Sequence, residues 1–583
     1  MFYWDESDLS TLDDGGTVIV PNLNPTHDPN HQVPARRGCW KRIYSGALNL
    51  AWFGASPTGA GVDNTVALFN ALKVVTAAGG TIQVSHLYPV GHLDWGGISI
   101  GPGLDNSSYG IPAAAHDVTI EGTMVGAGFT FMNVTKVAPD VYSVALKFGA
   151  CVRITIRNLT LDGSANQPDS PNLPLGIGFV YLRACHETVI EGCRFTNGAH
   201  AGGFSLATEG GVGSRYENNL FSNHAGIKIG YINPKEHEDG AHILGNTILP
   251  GSGACIGAEA DHTSMYVTVH NGVIANNRFR DITCAVALMI MTGTVLSEVT
   301  TNLVISGNSF YNCYGAIRQD SGGNGAASMQ NISITGNVCV GGGGAPDGYI
   351  GARSAIAMEP TRGLSITGNS IRNYTGTVLW LNGCSNAVVS GNVIEWTTSE
   401  SNSTTGAILW SVSAGDAQNV VIDGNVIVGY TYAIRAGSDP NATQRCSGLT
   451  ISNNYFFCAT GVLAIVVNPY TSNVRIFNND VESTLSTPTS TEILLYSTCQ
   501  LFSNKVRTVT LSTAYSPNVT YYWEEEKGRK TYCPAPAAPT VPPTGVTWSV
   551  GDLQYNSAPA TTGDPVGWVY TSANVWRGFG ALI

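Results

Sequence analysis

The chain has 583 residues, too many for one ordinary globular core, and length alone divides it into about three or four domains unless repeats intervene. Only 12% of the residues are charged while 69 are glycine, which excludes a disordered, self-repelling chain and suits a β-rich solenoid with many tight turns. The 29 Lys and Arg against 41 Asp and Glu leave a formal charge of -12, which argues against nucleic acid as a partner, because phosphates demand a basic face.

Taken in chain order, residues 1–45 form an N-terminal segment. Its start, MFYWDESDLSTLDDGG, lacks a basic stretch followed by an apolar run, and no later stretch holds about eighteen uninterrupted apolar residues. Neither a signal peptide nor membrane insertion is expected. Residues 46–110 lead into the repeats. Within them NTVALFNALKVVTAA (64–78) spaces Val66, Phe69, Leu72 and Val75 as one face of a helix, with Asp63/Asn64 as its start and Gly79-Gly80 as its stop. Such a helix would cover the open end of a solenoid, which otherwise exposes strand edges.

From about residue 240, and more faintly from 111, a motif of the form apolar-x-apolar-x-Gly-Asn-x-apolar recurs. Copies read LVISGNSF (303–310), ISITGNVC (332–339), LSITGNSI (364–371) and VVIDGNVI (420–427), with looser forms such as VIANNRF and LTISNNYF. The motif Asn falls at 246, 277, 308, 337, 369, 392, 425, 454, 479 and 504, at intervals of 23 to 33 residues. Alternating apolar residues on both sides of a Gly-Asn step describe two short strands joined by a bend. Asn tolerates the left-handed bend, and stacked Asn side chains can bond from coil to coil. The period and the missing Leu consensus favour a parallel β-helix over 111–515 rather than leucine-rich repeats. Residues 516–545, ending in CPAPAAPTVPPTG, read as a proline-rich linker, and 546–583 as a small β module. The 13 cysteines show neither CxxC pairs nor regular spacing, so they read as mostly free thiols, with Cys313, Cys339 and Cys384 near apolar repeat positions.

The segment WKRIYSGALNLAWFGASPTGAGVDNTVALFNAL (40–72) resembles the opening of pectate-lyase-like β-helix proteins, above all phage tailspike depolymerases. Phe53-Gly54-Ala55 matches their aromatic-Gly-Ala step and Asp63-Asn64-Thr65 their Asp-Asp-Thr, while SPTGAGV stands where Gly-Asp-Gly is usual. The stretch from Val550 to Ile583 looks like a module at the ends of phage tail proteins; its Trp568, Tyr570 and Trp576, with Tyr555 and the preceding Trp548, either stack on sugars or fill a small core or trimer seam. The resemblance implies an all-β, right-handed, single-stranded parallel β-helix that forms a homotrimer. It further implies assembly in the host cytoplasm and a place on the virion tail, joined to a baseplate or adaptor protein. The implied ligand is a bacterial capsular or other surface polysaccharide. The short segment before residue 40 implies an adaptor or a longer native chain.

A smooth solenoid offers few cavities, so the site is sought on an outward sheet face. Rows aligned on a shared inward residue are IKIGY (from 227), IGAEADH (256), VALMIM (286), AIRQDS (316), AIAMEP (355), VLWLNG (378), ILWSVS (408) and AIRAGSD (433). Positions one and three past that residue carry Lys228, Glu259, Met289, Arg318, Asp320, Glu359, Trp380 and Arg435. Coils stack at about 4.8 Å. Asp320 and Glu359, on neighbouring coils, fit retaining hydrolysis at about 5 Å; Glu259 and Asp320, two coils apart, fit inversion at about 6.5 to 9.5 Å. The catalytic expectation is therefore Glu259, Asp320 and Glu359. Lys228, His262, Arg318, Gln319 and Arg435 make up the polar substrate-binding set, with Trp380 and Trp410 stacking on sugar rings. The competing structural reading makes these acids ordinary polar groups of a solvated sheet, satisfied by Arg318 and its neighbours. The loop PKEHEDGAH (234–242), with His237, His242 and nearby His262, is a second candidate. There Lys228, His262 and Arg318 suit β-elimination on a uronate polymer. No ligand triad supports a metal, and no cofactor is expected. A sugar-binding adhesin without chemistry is a third possibility that the fold permits.

Overall fold

The computed structural model describes residues 1–6, 14–20, 39–58, 62–91, 98–102, 104, 109–131, 144–163, 178–197, 205–222, 227–230, 238–249, 263–282, 284–289, 300–313, 315–320, 329–342, 354–397, 406–411, 417–437, 445–458, 463–469, 471–483, 492–497, 499–506, 509–511, 521–526, 529–534, 553–555, 567–571 and 576–579. The chain divides into two compact units, Met1–Ile282 and Thr283–Ile583. In each, short strands stack in parallel from one coil to the next, as Thr155–Arg157 on Val189–Glu191 in the first and Met329–Thr335 on Thr361–Thr367 in the second. The all-β class with large parallel sheets follows the repeat.

The bend explains why. Strand Thr361–Thr367 ends at Gly368-Asn369 and the chain continues as Ser370–Tyr374. Leu364, Ile366 and Ile371 are buried, while Ser365, Thr367 and Ser370 lie toward the outside and are only half-buried, as period-two alternation requires. Gly368 adopts φ 64, in the left-handed region; where the motif reads Asn-Asn, Asn453 takes the same conformation at φ 55. This is why Gly and Asn interchange at the first position of the step.

The second Asn is buried and laddered. Asn369 donates its main-chain N–H and its side-chain amide to Oδ1 of Asn392, at 3.0 and 2.9 Å, and the amide also reaches the carbonyl of Ile334 at 3.0 Å. Asn337 donates in the same way to Asn369, and Asn392 to Asn425. The pattern links Asn308 through Asn504 in the second unit and Asn219, Asn246 and Asn277 in the first. A bend inside the core frees peptide groups that must be bonded, and the ladder bonds them.

Apolar side chains stack on the same period. In the first unit the rings of Phe195 and Phe221 lie 4.6 Å apart and nearly parallel, and Phe477 and Phe502 repeat this in the second; such pairs contribute about 0.5–1.5 kcal/mol beyond burial. Nine cysteines are free and buried, Cys313, Cys339 and Cys384 among them.

A helix spans Thr65–Ala78, where the spacing places one. It packs on strand Gly80–Val84 and the short turn Leu50–Phe53. Its buried face is Ala67, Leu68, Ala71, Leu72 and Val75, whereas Val66 is exposed, so the apolar stripe sits one step round from the expected one. Asp63 Oδ1 accepts from the N–H of Thr65 and of Gly91, tying the helix start to the first coil.

Part of the range read as a linker is folded: Tyr521–Glu526 and Arg529–Pro534 form an antiparallel hairpin, and Tyr521–Glu526 extends the sheet of Cys499–Phe502. The proline signal covers only the end of that range; the β-favouring aromatics Tyr521, Tyr522 and Trp523 are the strand signal. Leu553–Tyr555, Gly567–Tyr570 and Trp576–Phe579 pair antiparallel, and Trp568 is half-buried there.

Candidate functional site

In the second unit the sequence alignment of coils holds residue for residue. Ile317 pairs with Ile356, Ile356 with Leu379, Leu379 with Ile408, and Ile408 with Ile434. One residue past this inward column, the outward one runs Arg318, Ala357, Trp380, Leu409 and Arg435. Arg318 is buried, and Trp380 and Arg435 are half-buried. The Trp380 indole N–H donates to Ser411 Oγ at 3.0 Å, which sets the plane of the ring. The strip is thus a cation, a small residue, an aromatic face, an aliphatic one and a second cation.

Two residues further, Asp320 ends strand Gly315–Asp320 and Glu359 follows strand Ile356–Met358, at the same offset as Arg318 and Ala357. Their main chains therefore lie one coil apart, a spacing of about 4.8 Å. The half-buried Glu359 carries its carbonyl oxygen between two donors, Thr361 Oγ1 at 3.0 Å and Cys384 Sγ at 3.1 Å, which holds the turn after the strand. Asp320 is described by its main chain only.

Two expected binding residues face the core instead. Gln319 is 2% exposed and its Oε1 accepts from Thr361 Oγ1 at 2.8 Å. Trp410 is fully buried, pairs with Leu381 rather than Trp380, and donates its indole N–H to the carbonyl of Cys384 at 3.3 Å. Each sits one residue from an outward position, and on a strand one residue reverses the face. Neither reaches a polymer lying on the outside.

In the first unit the expected alignment slips. Ile227 pairs with Met265, not with a residue of the row beginning at Ile256, so the position three past the inward column belongs to Thr268 and not to Glu259. Glu259, His262 and His237 lie outside the described residues. Lys228 is where the pattern placed it, one residue past Ile227, in an outward column that runs Ser99, Lys147, Tyr181, Ala207, Lys228 and Tyr266. Beside it stand Gly149, Arg183 and Glu209.

This outward face carries charge and is nonetheless buried: Lys147 is 7% exposed, Lys228 8% and Glu209 6%. The Tyr181 hydroxyl donates to Glu209 Oε2. The Arg183 guanidinium lies 3.9 Å from that oxygen, too long for a hydrogen bond but close enough for charge to matter. Lys147 and Lys228 flank Tyr181 and Ala207 along the column. A phenol held on a carboxylate, with cations on either side, is an arrangement that moves protons next to bound negative charge.

Sequence reasoning missed Lys147, Tyr181, Arg183 and Glu209. A signal is present in FVYLRACH, where Tyr181 and Arg183 alternate with Val180 and Leu182, but the Gly-Asn step is blurred in this stretch, which leaves no mark from which to count. The 234–242 loop also resolves differently. His242 is exposed, while Glu238 is completely buried, bonded by Tyr216 and Thr208. The desolvated Glu238 carboxyl is held above the usual carboxylate range.

No family model matches the chain, and no curated protein matches it in sequence. Among solved structures it is similar to the A-module of a mannuronan C-5 epimerase from Azotobacter vinelandii, at 15% identity and a TM-score of 0.46, over 75% of this chain and 100% of that one. It is also similar to the Dettilon tailspike protein, at 15% identity and 0.43, over 76% of this chain and 69% of that one. A third is tailspike protein 3 of bacteriophage CBA120, at 12% identity and 0.43, over 91% and 68%. Phage tailspikes thus stand among its structural neighbours.

Proposed function

We propose that this chain is a phage tailspike that binds a bacterial surface polysaccharide and depolymerises it by hydrolysing glycosidic bonds. The observation that carries the reading is the placement of Asp320 and Glu359 on successive coils beside the strip from Arg318 to Arg435. Hydrolysis with retention uses two carboxyls about 5 Å apart. One gives its proton to the departing glycosidic oxygen. The other attacks the anomeric carbon, and water then releases the sugar with the first group acting as base. Trp380 supports a sugar ring, and the two arginines hold polar or acidic substituents. The homotrimer and an adaptor on the virion complete the proposal and derive from the sequence resemblance; the role of the helix as a cap derives from its place before the first coil.

A second reading, β-elimination on a uronate polymer, is favoured by the first-unit cluster. There Lys147 or Lys228 neutralises the uronate carboxylate, and the Tyr181–Glu209 pair handles the proton. Digestion of a panel of capsular polysaccharides, following reducing ends and ultraviolet absorbance together, tests both. New reducing ends without absorbance support hydrolysis; absorbance from an unsaturated uronate moves the chemistry to the first unit. Binding with neither signal leaves an adhesin.

A further inference from the structure

Among the described residues of the first unit one carboxyl is completely buried, that of Glu238, and it is bonded to Thr208, the residue before Glu209 of the outward cluster. Thr208 Oγ1 donates to Glu238 Oε2 at 2.5 Å and Tyr216 donates its hydroxyl to Oε1 at 2.8 Å. Thr208 Oγ1 in turn accepts the main-chain N–H of Gly230 at 2.9 Å. Thr208 precedes Glu209, and on a strand consecutive residues point to opposite faces, so the inward Thr208 sets the strand whose outward side carries Glu209. Gly230 lies two residues past Lys228. One chain of bonds, from the Glu238 carboxyl through the Thr208 hydroxyl to the Gly230 amide, therefore joins the strand of Glu209 to that of Lys228.

The space for this carboxyl is built in. Glu238 stacks on Gly211, whose own neighbour in the coil before is Cys185. A Cβ at Gly211 would lie 2.5 Å from the Cys185 carbonyl oxygen and 3.8 Å from the Glu238 carboxyl carbon, and Gly211 holds φ 143. Gly230, at φ 70, has no room for a Cβ either, since it would meet the Thr268 carbonyl oxygen at 2.1 Å.

We propose that Glu238 is a positioning residue for the outward cluster, fixing Glu209 and Lys228 relative to each other from inside the solenoid through the hydroxyls that donate to its carboxyl. The proposal rests on the second reading above, in which the first-unit face handles the polysaccharide. Among the described residues, the groups facing Glu238 are Thr208 and Gly211 from its preceding coil, Ser214 and Tyr216 from the adjoining sheet, Cys185 beyond Gly211, and Val269 on the following coil. None of these carries a compensating positive charge. Burial holds the Tyr216 hydroxyl well above its ordinary range, and the neighbouring Cys151 thiol together with burial does the same for Cys185, so both stay neutral.

The test uses the full chain and two readouts: hydrogen–deuterium exchange of 206–212 and 227–230, and cleavage of whichever capsular polysaccharide the digestion panel identifies. Glu238→Ala removes both acceptors, so these amides lose protection and kcat falls about tenfold with little change in KM, the effect of a misplaced group rather than a lost contact. Glu238→Gln keeps one acceptor oxygen and should fall between the two; if the Ala variant fails to fold, the Gln variant decides. Exchange and kcat superposable on the wild type in the variant that folds overturn the proposal. Glu209→Gln should remove cleavage and leave the exchange profile alone. Wild-type cleavage by Glu209→Gln overturns the reading of that face as a site, and the positioning role with it.

Discussion

The outward faces of the two units solve the problem of placing charge on a sheet in opposite ways. The second unit spaces its cations, Arg318 and Arg435, with Ala357, Trp380 and Leu409 between them, and sets its acids at the strand ends beyond. The first crowds Lys147, Tyr181, Arg183, Glu209 and Lys228 onto adjacent coils and buries most of them. A spaced, half-buried strip suits a long polymer that must slide in and out. A dense buried cluster suits one residue of that polymer held tightly, because partners in a dry site interact more strongly than in water.

The comparison breaks most visibly at the acids. Asp320→Asn and Glu359→Gln should each reduce reducing-end release by about 10²–10⁴-fold while the fold is kept, as measured by initial rates and circular dichroism. An equal loss in Glu209→Gln with neither of these affected would transfer the chemistry to the first unit. Next in size is the contrast between two tryptophans of one sheet. Trp410→Ala should cost about 3–5 kcal/mol in urea unfolding, because it leaves a cavity in the core, whereas Trp380→Ala should weaken polymer binding by about tenfold and change stability by less than about 1 kcal/mol. Equal stability losses would mean that the strip is packing and not a binding surface.

Asn369→Ala interrupts the ladder, removing the acceptor of the Asn337 main-chain N–H and the amide that reaches the Ile334 carbonyl, and should destabilise the second unit by about 1–3 kcal/mol in the same assay. The smallest effect expected is the pH dependence contributed by Glu238. Its carboxyl is raised in the folded state by desolvation, so the folded chain binds the extra proton. The stability it contributes is fully present below the ordinary carboxylate range and declines as pH rises through the elevated value. Glu238→Gln should flatten that part of the stability–pH curve, and a curve unchanged by the substitution would remove Glu238 as its source.

Much of the second unit was legible. The rows aligned on Ile317, Ile356, Leu379, Ile408 and Ile434 are the rows that pair, because every coil there carries a sharp Gly-Asn or Asn-Asn step from which to count. Arg318, Trp380 and Arg435 fell on the outward face for the same reason. Gln319 and Trp410 did not, since both were judged by residue type where parity decides the face. In the first unit Lys228 was found without its partners. The row at Ile256 offered the right alternation, but the coil that pairs with Ile227 is the one centred on Met265.

What the amino-acid sequence determined by itself is the coil: alternating apolar residues choose strands, and Gly or Asn at the left-handed bend and a second, buried Asn choose where each strand turns and how the turns stack. What only the tertiary structure decided is which coil lies beside which across a long loop, and which polar groups end up inside. Local pattern repeats in every coil and so cannot distinguish neighbours, while a strand's period of two makes a slip of one residue enough to exchange core for surface. Glu238 shows the consequence: it stands in a stretch whose composition reads as an acidic surface loop, and it is buried because Gly211 on the coil before leaves room for its carboxyl and Thr208 and Tyr216 bond it there.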